Sequence, residues 1–348
     1  MAHDPASLIL IIGNFLIINK PFGISCVGYK QKNGGIYHNT RINRNDLDLD
    51  NVNTLSYAYS VVFHEPKPAN ELTISSVLPY LSAKFAEPRL QFCFGLKRYS
   101  LMYVSGPVVL PCNKKYFKKL KVSTLRYHPD ELNEGFHHRA LAICKGIPFK
   151  LKGHVKGSAV FEEVGEHSEY IFLQNSKFGR RALRAKFAVT GSMDYSVLKS
   201  AYGCSLIDIV FAKFNRHLPR LMLTSILCPI LGDHMYMRRV VSIDGERKLI
   251  SPKNLYRSRQ VKDDYSFFSN RLQLTATEFS NLPLYWHVYR TTFPLNNSEK
   301  SEESMDLIAS CPLPTHMTEM LKNLEMYDVA IRHLEKIEEK ISSQYVNA

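Results

Sequence analysis

Between Glu87 and Asp130 the chain carries no aspartate and no glutamate, so that stretch offers no carboxylate for nucleophilic or acid–base chemistry. The seven cysteines are scattered, at 26, 93, 112, 144, 204, 228 and 311, with no Cys-x-x-Cys pair and no Cys/His ligand spacing. That pattern argues against a disulfide framework and a zinc site. It predicts reduced cysteines packed as small apolar side chains in an intracellular protein, with no metal. Long apolar runs are missing too. Leu8–Ile18 is interrupted by Gly13 and Asn14 and falls below the roughly 18–20 residues that span a bilayer. It has neither the basic leader nor the small-residue cleavage site of a signal peptide, and no Arg-rich transit peptide is visible. Two buried strands, or one strand after an irregular leader, is the reading.

What the chain does have is positive charge. It holds 348 residues, 45% of them hydrophobic, enough to bury a full core in one large domain or two small ones. The net charge of +13 is uneven: residues 296–348 carry −5, and the rest carry +18. Residues 113–190 alone contribute +9. A body this basic suits a polyanionic partner, most simply nucleic acid, although solvated lysines on an ordinary surface would give the same composition.

Phe15–Asn19 followed by Lys20-Pro21-Phe22-Gly23 predicts a buried strand running into a turn. Residues 29–70 are rich in asparagine, with Gly34-Gly35 and the alternating Asp46-Leu47-Asp48-Leu49-Asp50, and read as a long insertion holding at most a short strand at 55–63. Further strands are expected at 90–93, 101–110, 139–144, 183–189 and 206–211. Helices are expected at 74–85, 116–125 and 221–226, with a helical turn at 195–201. In the 116–125 helix Phe117 and Leu120 face inward, while Lys114, Lys115, Lys118, Lys119 and Lys121 face out. Residues 315–342 read as one amphipathic helix, with Met320, Leu324, Tyr327, Ile331, Leu334 and Ile341 on one face and a Glu/Lys-rich end free to project or dimerise. Strands and helices alternate without a regular βαβ rhythm, which favours α+β with a mixed or antiparallel sheet.

Two motifs are more specific. One is Phe15-Leu16-Ile17-Ile18-Asn19-Lys20-Pro21-Phe22-Gly23; the other is Pro229-Ile230-Leu231-Gly232-Asp233-His234-Met235-Tyr236, preceded by His217 and Arg220. In this order they resemble the RluA-type pseudouridine synthases, whose closing pattern PIxGDxxY the second motif matches at every fixed position. Leu282-Pro283-Leu284-Tyr285-Trp286-His287-Val288 and Pro312-Leu313-Pro314 resemble later segments of that family. The wording of Cys228–Tyr236 and Ser76-Val77-Leu78-Pro79 looks closest to its mitochondrial mRNA branch. The resemblance implies a pseudouridine synthase fold over residues 1–325, with 326–348 as a charged helical extension. It also implies an RNA partner, a mitochondrial setting and a reaction without cofactor, in which a C–N glycosidic bond breaks, the base turns and a C–C bond forms.

In that family an aspartate in a central HRLDxxTSG motif does the chemistry, paired with a buried arginine that keeps it ionised. Laid on residues 93–100, the motif puts Leu96 on the aspartate, and leucine can neither attack nor ionise. The family's YxAxVxG strand puts Ala140 where a tyrosine lies beneath the target base. No catalytic residue is therefore identified. Lys97, Arg98 and Tyr99 still offer charge and a stacking face, and Arg180, Arg181 and Arg184 add cations. His217 is equally a site residue or a satisfied core histidine. Asp233 reads more readily as the close of a turn than as a catalyst, and Tyr236 and His287 as packing residues. Arg220, in an apolar helix start, needs an acceptor; with leucine at the matched position, phosphate is the expected one.

These observations favour an RNA-binding member of the family whose catalysis is in doubt. Two alternatives stay open: an active synthase drawing a carboxylate from elsewhere, such as Asp233, and a protein-interaction scaffold using the C-terminal helix.

Overall fold

The computed structural model describes residues 9–24, 26, 73–84, 86–89, 104–164, 167–176, 178–184, 187–257, 271–295 and 305–346. The 29–70 insertion, the strand expected at 90–93 and the whole central motif, with Leu96, Lys97, Arg98 and Tyr99, lie outside the described residues. The chain divides into two compact units at Val122/Ser123.

In the first unit β1 (Ile9–Ile12) and β2 (Phe15–Lys20) form a hairpin that turns at Gly13, so the interrupted apolar run is two strands. Beyond them come α1 (Ile74–Lys84) and β3 (Gly106–Pro111), which pairs antiparallel with β2. Ile74 and Leu78 of α1 share a core with Leu16, Ile18, Val108 and Leu110. α2 (Lys114–Ser123) starts earlier than the apolar pattern implied, because the Asn113 side chain accepts from the Tyr116 amide at 3.1 Å and caps the first turn. Leu120 is buried, while Lys114, Lys115, Lys118 and Lys121 are exposed. Lys119 is half-buried, its ammonium 5.5 Å from the centre of the Tyr116 ring.

Among its described residues, the second unit is built on seven antiparallel strands in the order β12-β11-β4-β8-β7-β5-β6. They are β4 (His137–Lys145), β5 (Lys152–Val164), β6 (His167–Gln174), β7 (Ala188–Ala201), β8 (Cys204–Phe211), β11 (Trp286–Leu295) and β12 (Met305–Ser310). The sheet is thus antiparallel throughout, as the α+β reading allowed. Among the described residues, three short helices interrupt the sequence of strands: α3 (Arg180–Arg184), α4 (Leu218–Ser225) and α5 (Pro252–Arg257). The small hairpin β9 (Val240–Ile243)/β10 (Glu246–Leu249) stands between α4 and α5, and α6 (Ala276–Ser280) follows them.

Two sequence expectations are corrected in this region. Where one strand was expected over 183–189, residues 183–184 end α3 and 188–189 open β7, and 195–201 is not a helical turn but the second half of β7. The reason is the tight β7–β8 hairpin. Ala201 pairs with Cys204, and the two residues between, Tyr202 and Gly203, both have positive φ (52° and 70°). That is the geometry of a two-residue hairpin whose turn matches strand twist, and it holds the whole 14-residue β7 in the ladder.

The expected 315–342 helix is also two helices, α7 (Thr315–Asn323) and α8 (Tyr327–Val346), broken where Glu325 adopts φ 56°. Met317, Met320 and Leu321 of α7 and Ala330 and Ile337 of α8 pack with Leu141, Ile143 and Leu206 in one core against the sheet. α8 is fixed by a polar contact as well. Buried Asp208 accepts from the Tyr289 hydroxyl at 2.8 Å, and its other oxygen lies 3.2 Å from His333 Nε2 and 3.4 Å from Arg139. Burial alone would raise the Asp208 carboxyl, but these partners outweigh it and hold it below the usual aspartate range.

His137 and His287 of this unit are buried neutral. Desolvation lowers His137 to about 4, helped by Arg139 and Arg290, and lowers His287 to about 4 as well. The unfolded chain therefore takes up protons near pH 6.5 that the folded chain refuses. Stability should be intact above that pH and fall as pH drops from about 6.5 toward 4, by about 1.4 kcal/mol per pH unit for each histidine. Urea melts at stepped pH check this. A flat profile over that interval would mean that both histidines titrate normally in the fold.

Candidate functional site

The closing motif is clamped to the end of the central sheet. Lys145 N donates to Pro229 O and Leu231 N to Ile143 O, both at 2.8 Å, and Tyr285 N donates to Leu231 O at 3.0 Å. Gly232 has φ 78°, and a Cβ there would lie 1.9 Å from the Pro283 carbonyl oxygen, so only glycine allows this approach. The 282–288 segment, noted in sequence as a distant echo, is thus the surface on which the motif sits.

At the other side of the motif stands the start of α4, reached through an unusual backbone. Arg216 and His217 are consecutive non-glycine residues in the left-handed region, at φ 54° and 57°. Such conformations cost of order 1–3 kcal/mol each and persist only where surrounding contacts hold them. Here the contacts are specific. Arg216 donates to Phe187 O at 2.8 Å and lies 5.6 Å over the Tyr170 ring. The His217 Nδ1 lies 3.0 Å from the Tyr236 hydroxyl, with the ring edge-on to Tyr236 and Tyr170. Desolvation, with the charge of Arg220 behind it, pushes His217 well below its usual range, so the ring is neutral at physiological pH.

One turn into α4, Arg220 meets Asp233. Nε donates to one carboxylate oxygen at 2.8 Å and Nη2 to the other at 2.7 Å, a bidentate fork. The same carboxylate accepts from the amides of Met235 at 3.2 Å and Tyr236 at 3.1 Å. Asp233 is fully buried, and the Arg220 guanidinium also lies 5.1 Å over the Tyr236 ring. This corrects the expectation that Arg220 awaits a phosphate: its acceptor is a carboxylate of the same motif. Asp233 closes the turn, as read, but the ion pair is an addition that the turn reading lacked. With both oxygens engaged and no exposure, Asp233 is not placed to attack a sugar or to take a proton from one.

The other expected site residues that are described lie on separate elements. Ala140 is fully buried on β4, paired across the ladder with Ile209 and Val288. Arg181 is exposed on α3; the side chains of Arg180 and Arg184 are not described. The α2 lysines belong to the first unit, and His217 and Arg220 to the second. Sequence reasoning missed Tyr170, which is buried and pushed up to about 12 by desolvation. Its strand carried no motif, and only its ring contacts with Arg216 and His217 reveal it. Among the described residues no group of histidine, cysteine and acidic side chains could hold a metal ion.

No protein-family model matches the chain. It is 28% identical over 263 residues to the mitochondrial mRNA pseudouridine synthase of Homo sapiens, covering 73% of this chain and 68% of the relative. The counterpart from Bos taurus is 27% identical over 261 residues, covering 74% and 71%. A shorter match, 29% over 133 residues, joins 38% of the chain to 31% of a mitochondrial pseudouridylate synthase of Danio rerio. Among solved structures, the human RNA pseudouridylate synthase domain-containing protein 4 shares the fold, with a TM-score of 0.52 at 17% identity over 92% of this chain and 93% of its own.

Proposed function

We infer, from the premise that the chain belongs to the RluA-type pseudouridine synthase family near its mitochondrial branch, that it is a mitochondrial RNA-binding protein that has kept the family scaffold and given up the isomerisation. The observation that carries this reading is the Arg220–Asp233 fork. The acid of the scaffold motif is consumed by the scaffold, and the stretch between Glu87 and Asp130 supplies no other. Leu96 at the family's aspartate position and Ala140 at its tyrosine position agree with that.

RNA contact then rests on charge and stacking. Lys114, Lys115, Lys118 and Lys121 project from one short helix of the first unit, with half-buried Lys119 beside them, and Arg181 is an exposed cation of the second unit. Lys97, Arg98, Tyr99, Arg180 and Arg184 join them in this reading. Each lysine acts as a point charge on a phosphate rather than as a reader of bases. His217 and Arg220 are engaged within the second unit by Tyr236 and Asp233, and neither is free to hold a phosphate.

Affinity for single-stranded RNA should fall steeply with salt, with a log–log slope near −0.7 for each phosphate contacted. Reversing Lys114, Lys115, Lys118 and Lys121 to glutamate should flatten that slope by about three units. Fluorescence anisotropy across a salt series reads both. Binding that is insensitive to salt, or a slope unchanged in the variant, would remove α2 from the interface.

A further inference from the structure

The loop joining β4 to β5 carries three large apolar side chains in water. Ile147 is 42% exposed, Phe149 fully so at 101%, and Leu151 59%. Single exposed hydrophobics are ordinary, but three on one six-residue loop call for a reason. Looseness is not that reason, because the backbone is tied down along its length. Gly146 N donates to Gly203 O at 2.6 Å, and Val197 N donates to Leu151 O at 2.7 Å. The Tyr195 hydroxyl donates to Lys150 O at 3.1 Å, Ser205 Oγ to Gly146 O and Arg247 to Ile147 O. A Cβ at Gly146 would fall 1.4 Å from the Arg247 guanidinium, so glycine is what admits that tie. The loop is held in a shape that keeps the three side chains out of the core.

The loop's own charge has one sign. Residues 145–153 contain Lys145, Lys150 and Lys152 and no acid. The neighbouring β9–β10 hairpin, joined to the loop through Arg247, adds exposed Ile243 and Leu249 together with Lys248. Its acids are Asp244 and Glu246, the latter 3.5 Å from Lys248.

We propose that this loop is a peripheral anchor for an anionic lipid surface. Phe149, Ile147 and Leu151 would enter the boundary between headgroups and acyl chains while Lys150 and Lys152 remain with the lipid phosphates. RNA is the less suitable occupant. A base can stack on the Phe149 ring, but it offers nothing to the aliphatic side chains of Ile147 and Leu151. The anchor adds a membrane contact to the RNA-binding reading and does not depend on it. No helix among the described residues is long and apolar enough to cross a bilayer, so the association would be reversible and superficial.

The test is co-sedimentation of the full chain with phosphatidylcholine vesicles, with and without phosphatidylglycerol. Binding is expected to the anionic vesicles and to be weaker without them. Phe149→Ser with Leu151→Ser should reduce it on the order of tenfold or more, the scale of withdrawing two apolar side chains from the interface. Because both residues are exposed, the melting temperature should not move. Phe149→Trp should shift its emission to the blue when anionic vesicles are added, against the fixed signal of the buried native Trp286. Absence of vesicle binding overturns the proposal. So does vesicle binding that the double substitution leaves unchanged, which would assign attraction to the α2 lysines alone. Weakened single-stranded RNA affinity with intact vesicle binding would also overturn it and assign the loop to RNA.

Discussion

Arg220→Ala is expected to destabilise the fold by about 3–5 kcal/mol, the cost of leaving a buried carboxylate without its partner. Asp233 has no route to water, and its two amide donors cannot replace a bidentate guanidinium. For a unit of this size the loss corresponds to a fall in melting temperature on the order of 10 °C. Two further outcomes separate this from loss of an RNA contact. The protein that remains folded should bind RNA as the parent does. Arg220→Ala with Asp233→Asn should be less damaging than Arg220→Ala alone, since the second change removes the stranded charge. An Arg220→Ala protein that melts normally but binds RNA weakly would return Arg220 to phosphate.

The second expected result concerns turnover. The purified chain should isomerise uridine at a rate on the order of 10⁴–10⁶ below that of a competent relative, the usual consequence of a missing nucleophile. Leu96→Asp alone should not recover it. The family relies on an arginine to keep that aspartate ionised, and here the arginine of the motif is held by Asp233 at 2.7 and 2.8 Å. Adding Ala140→Tyr meets a second obstacle. Ala140 is fully buried between cross-strand neighbours Ile209 and Val288, so a tyrosine would have to push the sheet face apart. Flipping a target nucleotide also costs a few kcal/mol, which only a formed pocket returns. Measured single-turnover rates for the parent and both variants check this; recovery by Leu96→Asp alone would show that a cation reaches residue 96 after all.

Much of the scaffold was legible in sequence because its signals are local. The Gly232-Asp233 pair announces a turn, and the turn is there with Asp233 accepting its amides. The apolar run broken at Gly13-Asn14 announces a hairpin or a leader, and the register of β1 on β2 decides for the hairpin. Long-range pairing was not legible. Arg220 was matched to a residue position across the chain, while its actual acceptor lies 13 residues downstream in the motif itself. An arginine in an apolar helix start, followed by a single acid in the closing motif, was the available signal. β5 and β6 drew no expectation because their polar residues mask the alternation. The helix break at Glu325 was hidden for the opposite reason: the apolar spacing runs on from Leu324 to Tyr327 as though the axis were continuous.

The central claim is that the scaffold persists without the reaction, and pseudouridine mapping tests it most directly. Candidate mitochondrial transcripts are incubated with the wild-type protein alone, at concentrations where anisotropy shows the RNA bound, and every uridine is read against a protein-free control. The account predicts bound RNA with no uridine converted above the control. Robust conversion at any position by the protein alone would contradict it.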